Sequence, residues 1–193
     1  VDNSQQDHQL IADAKAGNQD AISLLYEQHA PAIFQYVSYR VESLMIAEDI
    51  TSEVFLRMVR EINHYEDRGL PFGAWLFRIA ANLLNDHYRQ KHSKPVTVLS
   101  DDERSDDTDP FDRLERQEER QRIHDALKTL PHDYQDVLVL RFMQELSYAE
   151  VALILNKSEL ALRSIQHRAL KALGKKLDVF DKSRSYLRGK KPL

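Results

Sequence analysis

The chain of 193 residues contains no cysteine. That excludes a disulfide framework, a thiol nucleophile, an iron–sulfur cluster and any zinc site with cysteine ligands. No apolar run approaches the roughly 18 residues needed to cross a bilayer, so membrane insertion is not expected. The opening VDNSQQDHQL has neither the basic flank nor the apolar stretch of a signal peptide, and a cytoplasmic protein is expected. Glycine is scarce, at five residues, and no glycine-rich phosphate loop is formed. Nowhere do apolar and polar residues alternate convincingly with period two between turn residues, which removes the strand signal. No internal repeat is evident.

What remains is helical spacing from end to end. With 42% apolar and 30% charged residues, the composition is that of a folded soluble protein rather than a disordered one. The length suits one large domain or two small ones. The net charge of −4 is unevenly spread. Residues 1–99 carry 13 acids and 9 bases, residues 100–112 carry 7 and 1, residues 113–156 carry 8 and 6, and residues 157–193 carry 3 and 11. Only the last segment, at +8, has the charge expected of a phosphate contact.

The expected fold is all-α. A first helix runs from about Ser4 to Ala16 and stops at Gly17, which suits a left-handed terminal residue. Asn18 caps a second helix, and Pro31 is placed in the first turn of a third, PAIFQYVSYRV, because inside a helix it loses a hydrogen bond and clashes. A fourth helix spans about Met45 to Asn63, and HYEDRGLP breaks the pattern before another begins near Phe72. From Ser93 to Asp112 the stretch SKPVTVLSDDERSDDTDPFD has two prolines, dense acid and no apolar face, and reads as a flexible linker. Beyond it lie a charged amphipathic helix ended by Pro131 and the more apolar HDYQDVLVLRFMQEL.

Two stretches carry function. In LSYAEVALILNKSELALRSIQHRALKAL (146–173), Ser147 and Glu150 have capping-box spacing. Asn156 tolerates a left-handed turn, and Ser158 caps the second helix. There Ala161, Leu162, Ile165, Ala169 and Leu173 form the inward stripe, while Arg163, Ser164, His167 and Lys171 face out with Arg168 at the margin. Two short helices, a tight turn and a basic outer face suit a major-groove reader. The second stretch is WLFRIAANLLNDHYRQ (75–90). Trp75, Arg78, Asn82, Asn85, Asp86 and Arg89 share one helix face opposite Leu76, Ala80, Leu83 and Leu84. As isolated features, a helix hairpin and a polar helix face also fit ordinary packing and solvated surface.

The first stretch resembles region 4 of the extracytoplasmic-function (group IV) bacterial sigma factors, which contacts the upstream, minus-35 promoter element. AEDITSEVFLRMVREI resembles region 2.2, which docks on a coiled coil of the polymerase β′ subunit. FGAWLFRIAANLLNDHYRQ resembles regions 2.3 and 2.4, which melt and read the minus-10 element. The resemblance covers about residues 8–92 and 113–175. It implies a region 2 domain over 1–95, a linker over 96–112, a region 4 helix-turn-helix domain over 113–175 and a basic tail over 176–193. It places polymerase docking on Glu48, Asp49, Glu53 and Phe55. It places the downstream-element loop at Asn63 through Gly69, including His64, Tyr65 and Arg68, with Trp75, Arg78, Asn82, Asn85 and Arg89 along the unpaired strand. It places upstream reading on Arg163, Ser164, His167 and Arg168, with Lys171 on phosphate. Expected partners are core RNA polymerase, through the β′ coiled coil and the β flap, promoter DNA in double- and single-stranded form, and an anti-sigma protein. No cofactor and no metal is expected. The linker run DDERSDD is expected to mimic RNA phosphate charge inside the polymerase. Leu160 and Ile165 depart from the family, which often has glycine near 160 and a polar residue at 165; Leu160 meets a thymine methyl or packs. The tail adds phosphate contacts or is a flexible end.

Two other classes compete. A dimeric helix-turn-helix regulator explains residues 146–173 but leaves the face of 75–89 and the acids at 48–53 without a task. An enzyme is suggested only by His124-Asp125 and His132-Asp133, which resemble the HD dipeptide of metal phosphohydrolases without a further ligand set. His87 and His92 are five apart, which does not align them on one helix face as four-residue metal spacing does.

Overall fold

A computed structural model describes residues 3–66, 71–92 and 121–189, with side chains described over 7–66, 71–90 and 121–178. Eight helices appear among them: α1 (Asn3–Lys15), α2 (Gln19–Ser38), α3 (Leu44–Glu61), α4 (Phe72–His92), α5 (121–128), α6 (His132–Leu138), α7 (Tyr148–Leu155) and α8 (Glu159–Gly189). A 3-10 turn, Ile62–His64, follows α3, and a π turn, Val139–Met143, follows α6. No described residue is in a strand, and no described helix is long and apolar enough to cross a membrane. The expected linker lies outside the described residues.

Local chemistry sets most boundaries. Gly17 has φ +86, and the Asn18 and Gly17 N–H groups reach back to Asp13 O and Ala14 O at 3.0 Å each. This is the paired closure of a left-handed helix end. Asn18 Oδ1 then accepts from Asp20 N at 2.9 Å and Ala21 N at 3.3 Å, starting α2. Ser43 caps α3 by accepting from Ile46 N at 3.3 Å.

Pro31 does not begin a new helix: α2 is continuous through it. Proline leaves the carbonyl of Glu27 without its intrahelical donor, but Glu27 and Pro31 both lie on the exposed side, where water can take that bond. On the other side Leu25 and Ala30 before the proline, and Ile33, Tyr36 and Val37 after it, enter one core. Burial of a continuous apolar stripe outweighs one solvent-facing hydrogen bond.

α2 packs against α1, α3 and α4, and α6 and α7 pack against α8. Between these two units lies a polar joint. The Tyr36 hydroxyl donates to Asp136 Oδ1 at 2.6 Å, and Arg40 pairs with the same carboxylate. All three residues are buried. Burial pushes the Tyr36 phenol up to about 12, the nearby Arg40 charge opposing it only in part. Tyr36 therefore remains a hydrogen-bond donor at neutral pH. Around the joint, the Tyr88 and His132 rings lie 3.8 Å apart, Gln144 Nε2 donates to Gln35 Oε1 at 2.8 Å, and α7 lies against α4.

Candidate nucleic-acid and polymerase interfaces

The helix-turn-helix forms as its local spacing requires. Glu150 N donates to Ser147 Oγ at 3.2 Å and Ser147 N donates to Glu150 Oε2 at 2.6 Å, completing the capping box. Asn156 takes the left-handed conformation at φ 51, with Lys157 N donating to Ala152 O at 3.0 Å. Ser158 Oγ accepts from Ala161 N at 3.2 Å. Leu162, Ile165 and Ala169 are buried, with Ala161 and Leu173 partly so. Ile165, at a position where a polar residue is frequent, is thus a core residue here.

Arg163, Ser164, His167, Arg168 and Lys171 are all exposed along one side of α8. Arg163 lies 3.7 Å from Glu159 Oε2, and Arg168 Nε donates to Ser164 O at 3.3 Å. Leu160 is 80% exposed. At 100° per residue it falls among Arg163, His167 and Lys171. It does not pack against the described residues, and an apolar group amid donors has the chemistry to meet a thymine methyl. α8 also continues without a break past residue 175 to Gly189, so the start of the basic tail is helical.

On α4, Arg78, Asn82, Asn85 and Arg89 form an exposed row, with Asp86 partly buried beside it and paired to Arg89. Trp75 at the head of this row is half-buried. Its ring centroid lies 4.9 Å from Tyr65 and 5.4 Å from Phe72, and Tyr65 meets Phe72 edge-on at 5.2 Å. Trp75 is therefore one wall of a three-ring cluster. Lys15 Nζ donates to the carbonyl of Tyr65 at 2.6 Å, tying α1 to this cluster. His29 packs behind it, 5.5 Å from the Phe72 ring and 3.5 Å from Asp7 Oδ2. Burial lowers the His29 pKa below its ordinary value, outweighing the attraction of Asp7. Asn63 and His64 are exposed in the 3-10 turn beside this cluster, whereas Arg68 and Gly69 lie outside the described residues.

Glu48 and Asp49 are exposed on α3, and Glu53 is paired with Arg57 at 3.0 Å. Phe55, named with these acids as an expected docking residue, turns inward. It is 5% exposed and meets Tyr26 edge-on at 4.7 Å. Val54 and Phe55 both turn into the core, while Leu56 and Val59, which the spacing of the acids did not single out, are exposed at 51% and 43%. Beside the acids an open groove of about 490 Å³ runs between α2 and α3, lined by Tyr26, Pro31, Phe34, Glu48 and Ser52 among others.

The two HD dipeptides are not brought together with further ligands. His124 packs 5.1 Å from the Tyr39 ring, His132 packs on Tyr88, and Asp133 pairs with Lys157 at 3.4 Å. No group of three or more metal-ligating side chains occurs among the described residues.

Comparison with known proteins matches two family models to this chain: Sigma-70 region 2 over residues 25–94 and Sigma-70, region 4 over residues 120–173. The ECF RNA polymerase sigma factor BldN of Streptomyces coelicolor is 35% identical over 171 residues, covering 88% of this chain and 65% of the relative. The ECF RNA polymerase sigma factor SigD of Mycobacterium tuberculosis is 30% identical over 171 residues, covering 85% of this chain and 80% of the relative. The chain thus spans just under two thirds of the first and four fifths of the second. Among solved structures, CnrH in complex with the cytosolic domain of CnrY is similar with a TM-score of 0.68 at 27% identity, covering 90% of this chain and 97% of that one.

Proposed function

The chain belongs to the extracytoplasmic-function sigma factors, and from that membership we propose that it is a promoter-specificity subunit. It binds core RNA polymerase, brings it to two promoter elements and opens the downstream one without covalent chemistry. The observation that supports this reading is the presence in one chain of two unlike faces, each suited to DNA in its own way: the basic outer side of a doubly capped helix-turn-helix, and the arginine–asparagine row that begins at Trp75.

Residue by residue, Arg163, Ser164, His167 and Arg168 read the upstream element as duplex, with Lys171 on phosphate. Asn63, His64, Tyr65 and Arg68 receive an extruded downstream base, and Trp75, Arg78, Asn82, Asn85 and Arg89 line the separated strand. Glu48, Asp49 and Glu53, with exposed Leu56 and Val59 in place of Phe55, form the β′ docking surface. The carboxy-terminal unit meets the β flap. An anti-sigma protein is the regulator expected of such a subunit.

Energetics support dependence on the polymerase. Extracting a base costs a few kcal/mol, and stacking returns about 1–3 kcal/mol per base. Residues 1–99 are net −4, so the first unit has little charge with which to hold phosphates alone. The names of the two elements place their centres about 25 base pairs apart, roughly 85 Å of duplex. A compact chain of this length has a radius of gyration of only about 16 Å. The Tyr36–Arg40–Asp136 joint must therefore part before both elements are engaged.

Run-off transcription with core polymerase tests the assignment. Trp75→Ala is expected to keep core binding and lose about 5- to 150-fold in open-complex yield, the equivalent of one stacked base. Asp49→Lys is expected to weaken core association. Normal transcription from both variants overturns the placement of the sites, and promoter shifts by the chain without polymerase favour the duplex-binding regulator instead.

A further inference from the structure

Tyr148 is the first residue of α7, and several observations converge on its ring. The capping box pins its backbone from both sides of the helix start, through Ser147 and Glu150. Its hydroxyl donates to Gln166 Oε1 of α8 at 2.9 Å, so the ring is tied to both helices of the motif. The Arg141 guanidinium carbon lies 4.2 Å from the ring centroid, and that guanidinium donates to the carbonyl of Leu146. The Arg163 guanidinium carbon lies 4.1 Å from the same centroid.

Two cations over one ring repel each other, so the arrangement needs compensation. The negative π face attracts both. Glu159, 3.7 Å from Arg163, supplies the opposite charge on the α8 side. A guanidinium lying over a ring uses its flat face and leaves its N–H groups, which point outward in the plane, free to donate. Arg163 remains exposed in this state. It is therefore held without having its donors consumed, which is what bidentate reading of a guanine edge requires.

We infer that Tyr148 is a positioning residue for sequence reading: its ring holds the Arg163 guanidinium ready for a base edge, with Arg141 and Gln166 fixing the ring. The inference rests on the proposed role of Arg163 in upstream-element contact. Tyr148 itself touches no base in this scheme; it acts by reducing the conformations Arg163 gives up on binding.

The test uses the full chain assembled with core polymerase and a duplex library randomised across the upstream element, with bound DNA sequenced to give base preference at each position. Arg163→Ala identifies the position read by Arg163, where preference is expected to fall between about fivefold and 150-fold. Tyr148→Leu is expected to lower preference at that position alone, by about two- to fivefold. Tyr148→Phe keeps the π face and its contact with Arg141 while losing the hydroxyl bond to Gln166, and is expected to retain more of that preference than Tyr148→Leu. The double variant Tyr148→Leu, Arg163→Ala is expected to match Arg163→Ala at that position. A general loss of fold lowers total binding rather than preference at one base, and Tyr148→Phe guards further against it. Unchanged preference in Tyr148→Leu, or a loss that adds to that of Arg163→Ala, overturns the inference and leaves the role of Arg163 intact. No altered position in Arg163→Ala overturns both.

Discussion

Helices α4 and α8 each present a row of polar side chains, yet they are embedded in opposite ways. α4 is buried along much of its circumference, through Phe72, Leu76, Phe77, Ile79, Ala80, Leu83 and Leu84, and exposes little more than its Arg78–Asn82–Asn85–Arg89 row. α8 buries a narrow stripe of Leu162, Ile165 and Ala169, flanked by half-buried Ala161, Gln166, Ala172 and Leu173, and turns most of its remaining described surface outward. The difference fits the two tasks proposed for these faces. A platform for separated bases must hold its shape against the energy of unstacking, so rigidity matters more than charge. A duplex reader meets an intact helix, where phosphate attraction and a few aimed donors suffice. The charges follow suit, at −4 over residues 1–99 and +8 over residues 157–193.

The largest effect is expected at the joint that keeps the two units together. Asp136→Ala leaves Arg40 buried without its carboxylate, a change that typically costs about 3–5 kcal/mol. The joint has an escape open to few buried pairs: the units can separate and return Arg40 to water. The loss measured by denaturation is then capped by the cost of opening, while small-angle scattering shows a larger radius of gyration. Replacing all three partners, Tyr36→Phe and Arg40→Met with Asp136→Leu, leaves no buried polar group orphaned and is expected to preserve the closed form at little cost. It should also hinder transcription, because the two faces can no longer be separated readily. An unchanged radius in Asp136→Ala, together with normal unfolding, removes the joint as the element holding the faces together.

A smaller effect separates the faces by charge. Lys171→Ala removes one proposed phosphate contact, so upstream binding by the holoenzyme should fall about equally for all sequences and its salt slope should shrink by about 1. Arg89→Ala should change that slope less, since Arg89 is already paired with Asp86. Equal changes in slope for the two variants erase the contrast between the basic reader and a platform whose unit is net acidic.

How far these faces were legible in the sequence depends on the range of the contacts. The capping box at Ser147 and Glu150, the left-handed Asn156 and the Ser158 cap involve neighbours three or four residues apart, and pattern sufficed to place them. The helix stripe around Leu162 and Ile165 followed from period alone. Pro31 was misplaced because helix-breaking is a local penalty, whereas α2 is carried through by burial against α1, α3 and α4. The resemblance groups Phe55 with the acids that precede it, and only its packing against Tyr26 reveals which side it faces. Arg40 and Asp136 are 96 residues apart. Arginine within the apolar stretch PAIFQYVSYRV was the one local sign that a buried partner was needed. Tyr148 gave less warning, since its partners come from the π turn and from α8.

The smallest expected effect concerns His29. It packs against Phe72, and through that ring it backs the cluster formed with Tyr65 and Trp75. Burial lowers its pKa, with Asp7 opposing the shift, so the folded chain binds this proton less readily than the unfolded chain does. The stabilising contribution is therefore complete above the ordinary histidine range and declines as pH falls from about 6.5 toward the lowered value. For one proton the slope cannot exceed about 1.4 kcal/mol per pH unit. His29→Phe keeps an aromatic ring beside Phe72 and removes the titration. Thermal unfolding between about pH 7 and pH 5.5 should consequently fall less steeply for the variant than for the wild type, and mild acid should weaken downstream opening before it weakens upstream binding. Parallel pH profiles for the two proteins would detach His29 from the rigidity of the platform and leave that rigidity to the packing of α4 alone.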